Sequence, residues 1–219
     1  MFRTVVSLLT FLRARRSIAA WSIGVVLLVV GLGALIGMPP FGFVVILLGI
    51  FVPTSWVVIR GEKRAPASVT AKMFVAILAA ATAVTFLAIQ AIPYGRSHSN
   101  PPVTGEPQWA NDETRELMVR ACFGCHSNEV EYPAYASVAP ISWVVQSHVD
   151  EGRGKVNYSE YDRRQRGAHE TLEVIAEGEM PPHYYTLFGL HPEAKLTESE
   201  VQALIAGIKA TPGLAGHDD

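Results

Sequence analysis

The sequence predicts an all-α protein in which three membrane-spanning helices precede a small helical domain outside the membrane. Long apolar stretches fill most of residues 18–93, whereas the later chain carries helical apolar stripes between turn-forming residues. Charge divides at the same place. Residues 1–93 hold eight basic residues and one acidic residue, and residues 94–219 hold ten and nineteen, which gives formal charges of +7 and −9. Two differently built parts are therefore expected.

The membrane part is predicted from three apolar stretches at residues 18–38, 41–59 and 73–92. Each is close to the ~20 residues that a helix needs to cross a bilayer core. The first two contain no charged residue, and only threonine and glutamine interrupt the third. Residues 18–93 are therefore predicted to be a three-helix membrane anchor.

The positions of the basic residues predict the orientation of this anchor. Basic side chains precede the first span and fill the loop between the second and third: Arg3, Arg13, Arg15, Arg16, Arg60, Lys63, Arg64 and Lys72. Cytoplasmic loops are enriched in such residues. We therefore expect a multi-pass protein of a bacterial inner membrane, with the segment 1–17 in the cytoplasm and everything after the third span outside it.

Beyond the anchor, residues 94–110 are rich in turn-forming residues and are predicted to be a linker. Residues 111–210 follow as a helical domain, and 211–219 as a tail. A capping box at Thr197 to Glu200 opens a last helix with apolar residues at helical spacing. That stripe is expected to pack against the helix that precedes the two cysteines, because neither helix can bury its apolar face alone.

The chemistry is concentrated in the run Cys122-Phe123-Gly124-Cys125-His126, which contains both cysteines of the chain. C-x-x-C-H is the attachment pattern of c-type haem. Its two thiols add to the two vinyl groups of the porphyrin, and the adjacent imidazole binds the iron from one side. The sequence thus predicts one covalent haem c, with His126 as an axial ligand.

Other uses of two such cysteines fit less well. A structural zinc site normally has four ligands, and a second pair is missing from the sequence. A thioredoxin-like dithiol belongs in a βαβ context that the sequence lacks. A disulfide would leave the adjacent histidine unexplained. A redox dithiol is the main alternative to haem.

The sixth iron position has two candidate ligands, Met180 and His148. Met180 precedes two prolines that fix the loop presenting its sulfur, and a thioether raises the reduction potential of a haem. The ordinary alternative is that Met180 fills the core. His148 lies on a predicted helix and would give bis-histidine ligation. His183 and His191 could serve if Met180 does not.

The sequence from the third span to about residue 210 resembles the bacterial haem-binding domain family. The resemblance is carried by the Pro93-Tyr94-Gly95-Arg96 run, His98, Asn100-Pro101-Pro102-Val103, Ala121 to Glu129, Ala139-Pro140-Ile141-Ser142-Trp143, Glu151-Gly152-Arg153 and Gly178-Glu179-Met180-Pro181-Pro182. It implies that Cys122 and Cys125 carry the thioethers, that His126 is the proximal ligand and that Met180 is the distal one. Family members usually have a single membrane anchor, so the two further spans are unexplained.

A six-coordinate His/Met iron leaves no position for a substrate, which predicts an electron carrier and not an enzyme. The acidic domain favours redox partners with basic patches, although its charge could equally serve solubility. A haem-based gas or redox sensor with an open sixth position is the alternative function. The soluble part has no nucleic-acid-binding pattern.

Overall fold

The computed structural model describes residues 16–64 and 69–215, and within these it is helical without any strand. Its eight α-helices are α1 (Arg16–Leu35), α2 (Pro40–Arg64), α3 (Ala71–Ile89), α4 (Asp112–Ala121), α5 (Phe123–His126), α6 (Ile141–Lys155), α7 (Thr171–Ala176) and α8 (Glu198–Ala210). Short 3-10 segments lie at Ala134–Ser137, Ala168–Glu170, His183–Gly189 and Pro192–Ala194. The predicted all-α class is confirmed. Residues 1–15 of the predicted cytoplasmic segment and 216–219 of the tail lie outside the described residues.

Two compact units make up the described chain. The first extends to Tyr94 and includes Val138–Val144, and the second comprises Gly95–Ser137 and the residues from Val145 onward. The boundary at Tyr94 falls at the end of the predicted anchor. Of the predicted linker, residues 94–110, Tyr94 belongs to the first unit and residues 95–110 to the second.

The prediction of three membrane spans is supported for two of them. Residues Pro40–Gly61 of α2 and Ala71–Ile89 of α3 are long and apolar enough to cross a membrane, by length and composition. The predicted first span, 18–38, does not have this support among the residues searched. Helix α1 ends at Leu35, and its apolar part among the residues searched, Ser22–Leu35, is shorter than the ~20 residues that cross a bilayer core.

Within the first unit, α2 packs against α3. The close approach depends on Gly49, because a Cβ there would lie 2.5 Å from the Thr85 methyl carbon. Thr54 lies one turn after Ile50 on α2, and its hydroxyl donates to the Ile50 carbonyl at 2.6 Å. This bond gives the buried hydroxyl a partner within its own apolar helix. Pro53 lies inside α2.

The core of the second unit forms where α4 packs against α8, as the apolar stripe of the last helix predicts. Leu117 on α4 and Leu204 and Ile208 on α8 are buried there. Gly207 permits the approach, because a Cβ at this position would overlap the side chain of Thr114. The predicted capping box is confirmed at Thr197 and Glu200, which bond each other's backbone amides.

Replacing Gly207 with alanine is expected to lower the free energy of unfolding by about 1–2 kcal/mol. Overlap with Thr114 outweighs the better helix propensity of alanine, which is worth about 1 kcal/mol. Chemical denaturation of the detergent-solubilised chain measures the change. Ala206→Ser is the control, since it also adds one atom in α8 but at an exposed position. Equal stability of Gly207→Ala and the native chain would contradict this packing.

Hydrogen bonds hold residues 95–110 to the rest of the second unit. The backbone amides of Thr104 and Gly105 donate to the Ser159 carbonyl at 2.9 and 3.3 Å, and the Asn100 amide donates to the Val130 carbonyl at 2.9 Å. Arg153 donates to the Ser99 carbonyl at 3.2 Å. This segment is therefore a fixed part of the domain surface.

The same segment also forms an ion pair with α4. Arg115 donates from Nε and Nη2 to the two oxygens of Glu106, both at 2.7 Å, and Trp109 Nε1 donates to Glu106 at 2.8 Å. The pKa of Glu106 is lowered, chiefly by the hydrogen bond from Arg115 and against the opposing effect of burial. The carboxylate form is thus favoured in the folded chain.

Replacing Glu106 with glutamine is expected to destabilise the second unit by about 1 kcal/mol at pH 7, since Arg115 is partly exposed and water screens the pair. The folded-state pKa of Glu106 lies below the unfolded value of ~4.3. Its contribution is therefore present above that value and is lost as the pH falls through the folded-state pKa. When unfolding is measured from pH 7 down to pH 3, the free energies of unfolding of the native chain and of Glu106→Gln should converge. A difference independent of pH would rule out the charged pair as its origin.

Candidate haem site

The two cysteines and His126 lie on one short turn of helix. Helix α5 follows α4 directly, and the amides of Cys125 and His126 donate to the Cys122 carbonyl at 3.1 and 3.0 Å. Ser127 ends the turn by donating its hydroxyl to the Phe123 carbonyl at 2.8 Å. This geometry places both thiols and the imidazole on the wall of a single cavity.

His126 is held in one orientation and one tautomer. Its Nδ1 lies 3.1 Å from the Val156 carbonyl oxygen, which can only accept, so Nδ1 carries the proton. The His126 carbonyl in turn accepts from the Tyr158 amide at 2.8 Å. Nε2 is then the nitrogen with a free lone pair. Metal-binding histidines typically donate the N–H of the other ring nitrogen to a carbonyl or carboxylate in this way.

Burial lowers the pKa of His126, while its backbone hydrogen bond opposes that shift. The imidazole is therefore neutral at pH 7, which is the form that binds a metal. Burial acts oppositely on the thiols and raises the pKa of Cys122 to about 12 and that of Cys125 to about 11. A thioredoxin-like dithiol requires a lowered thiol pKa. The site does not have the electrostatics of the alternative redox dithiol.

Helix α6 fixes the other side of the cysteine turn. A Cβ at Gly152 would lie 2.6 Å from the Cys125 carbonyl oxygen, so only glycine allows the helix to come this close. The next residue, Arg153, donates from Nε to the Ser127 carbonyl at 2.8 Å. Arg153 also donates to Asn100 Oδ1 at 2.9 Å. The arginine thereby joins α6, the end of the haem motif and the segment 95–110.

Met180 lies on the same cavity, in a loop that is tied to the end of α7. The Val174 carbonyl accepts from the amides of both Glu179 and Met180, at 2.9 and 3.1 Å. Gly178, with a φ of 73°, makes the turn that ends the helix. The Met180 side chain is 36% exposed, so it is not the buried core filler of the ordinary alternative.

His148, the other candidate for the sixth position, also lines the cavity. Its ring stacks on Tyr184 with centroids 5.0 Å apart, and its Nε2 lies 3.3 Å from the Tyr184 hydroxyl oxygen. His183 and His191 are not among the described residues that line this space. His191 instead contacts Tyr135 through Nε2 at 3.0 Å and Glu193 through Nδ1 at 3.2 Å.

The cavity has a volume of about 460 Å³, which is in the range of cofactor pockets. Its walls come from α4 to α7 and from the loop that carries Met180, and all belong to the second unit. Three tyrosines that the sequence analysis missed, Tyr158, Tyr184 and Tyr185, also form its walls. Only their position after the motif and after the double proline could have drawn attention to them.

Comparison with known proteins identifies the domain that contains this cavity. Residues 84–210, more than half of the chain, match the haem-binding domain family. The chain belongs to the haem-binding domain family. No curated protein and no solved structure matches it significantly. The resemblance noted in the sequence is thereby confirmed, and the match begins inside α3 and ends with α8.

The residues of this haem-binding domain suit a haem. The cavity brings together two thiols, an imidazole oriented through Val156, and a thioether, all from the family's matched region. The largely apolar and aromatic walls would shield a porphyrin from water, and His126 and Met180 would be the nitrogen and soft sulfur donors that hold its iron. Within the described residues, no cluster of three or more His, Cys, Asp or Glu side chains could hold a metal ion without a porphyrin.

Proposed function

We propose that this haem-binding protein is a membrane-anchored monohaem c-type cytochrome that carries single electrons. The observation that supports the proposal is the placement of Cys122, Cys125, His126 and Met180 around one cavity. When bound, the haem supplies a one-electron couple. The protein supplies covalent attachment through the thiols, a neutral proximal imidazole and a thioether that would raise the potential.

An electron carrier needs no open iron position for a substrate. His126 and Met180 would fill both axial sites of the iron, and His148 stays with Tyr184. With both positions filled, the protein's task is to set the potential and to limit solvent access. A role as an enzyme is therefore not proposed.

Helices α2 and α3 support attachment to a membrane by their length and composition. We place the haem domain on the extracytoplasmic face of a bacterial inner membrane, because basic residues cluster in the 60–72 loop and c-type haem is attached in oxidising compartments. A cysteine-accessibility experiment tests this topology. A single cysteine introduced at Glu179, in the exposed loop of the second unit, should react with a membrane-impermeant reagent in intact spheroplasts.

Visible spectra of the extracted protein, oxidised and reduced, with and without carbon monoxide, test the carrier function. A low-spin reduced spectrum that carbon monoxide leaves unchanged is expected, because both axial positions are filled. A high-spin iron that binds the gas would contradict the carrier and would favour the sensor. Expression must be in cells that can mature c-type cytochromes.

A further inference from the structure

A second concave surface of the haem domain carries positive charge. A cleft of about 640 Å³ lies between the segment 164–169 and the end of α8. Its charged lining residues are Arg164, Arg166 and Lys209, with His169 beside them, and the described lining contains no carboxylate. In a unit that is acidic as a whole, this is a local reversal of sign.

The cations of the cleft are exposed and have no acidic partner among the described residues. Arg115, Arg120 and Arg163 each form an ion pair with a glutamate, whereas Arg164, Arg166 and Lys209 form none within the described part of the chain. Lys209 lies in the last turn of α8, where a positive charge also suits the helix dipole. Arg164 and Arg166 precede the 3-10 segment Ala168–Glu170 and have no such role.

Screening decides which charge a docking partner experiences. At physiological ionic strength the Debye length is about 8 Å, so the net negative charge of the unit is felt weakly across its width. A group inside the cleft would face a lining that carries three cations. The local field therefore attracts carboxylates even though the domain as a whole repels them.

The cleft and the haem cavity share one wall. Arg166, Ala168 and His169 line the cleft, while Gly167 and Glu170 line the haem cavity. Residues of a single segment thus alternate between the two spaces. A partner seated in the cleft would be separated from the haem cavity by the thickness of this segment, and electron transfer is fastest over such short distances.

We propose that this cleft docks a carboxylate-rich segment of the redox partner. The proposal rests on the electron-carrier function, and it adds an acidic docking motif to the basic partner patches expected from net charge. Arg164 and Arg166 suit carboxylates because a guanidinium binds both oxygens of one group. The volume exceeds that of a single carboxylate, so the cleft fits several acidic side chains from one segment.

A calorimetric titration of the intact, haem-loaded protein with a hexaglutamate peptide tests the proposal. Binding should weaken as salt is added. Arg166→Glu should weaken it at least about tenfold, because an attractive contact becomes repulsive. Lys195→Glu makes the same change of charge at an exposed position outside the cleft, and it should alter the affinity less than about twofold.

Two results would overturn the docking proposal. Equal losses of hexaglutamate affinity in Arg166→Glu and Lys195→Glu would show a general charge effect. A protein that binds inorganic phosphate but does not bind hexaglutamate would have a small-anion site. Arg164→Glu provides a second variant if Arg166→Glu unfolds, which thermal melting reveals. The haem spectrum of each sample reports separately on the carrier function, because hexaglutamate binding needs no electron transfer.

Discussion

Replacing Cys122 and Cys125 together with serine is expected to abolish covalent haem attachment. Serine is close in size to cysteine, but its hydroxyl cannot form the thioether bonds that we propose between the chain and its haem. A denaturing gel stained for haem should show a band for the native chain and none for the double variant. Each single variant should retain one thioether or lose the haem.

The pyridine haemochrome spectrum gives the second measurement on the same variants. Each vinyl group that is left unreacted shifts the absorption to longer wavelength, so the single and double variants should be distinguishable. His169→Ala, at an exposed position, is the control and should keep the native spectrum. Full covalent haem in the double variant would disprove the attachment that we propose, since the chain has no other cysteine.

Replacing Met180 with alanine is expected to open the sixth iron position. The reduced protein should then bind carbon monoxide, and its reduction potential should fall by on the order of 0.1 V or more, because axial ligands tune haem potentials over ~0.8 V. Met180 lies at the cavity in a loop held by the Val174 carbonyl, so the loop should survive truncation of the side chain. Redox titration and gas-binding spectra measure both effects.

Met73→Ala is the matched control, because it removes an exposed methionine side chain from the first unit and should leave potential and spectrum unchanged. An unchanged spectrum in Met180→Ala would transfer the distal role to His148. In that case a His148→Ala variant should bind carbon monoxide. The pair of variants therefore distinguishes Met180 from His148 as the distal ligand.

The features that the sequence predicted correctly are local ones. Thr197 and Glu200 form the predicted capping box at the start of α8. Caps are predictable because partners three residues apart meet whenever a helix starts there. The cysteine turn is equally local. The first membrane span was overextended, because hydropathy alone does not show where α1 ends.

The sequence by itself determined the helical class, the change of character near residue 94, and the type of cofactor, because these depend on composition and on residues adjacent in the chain. Only the tertiary structure decided which distant groups surround the cavity. The Val156 carbonyl accepts a hydrogen bond from His126 Nδ1, 30 residues away in the chain, and Gly152 allows α6 to approach Cys125. The cationic cleft also joins two distant segments. Such contacts depend on how helices pack, which the periodicity of a single helix does not specify.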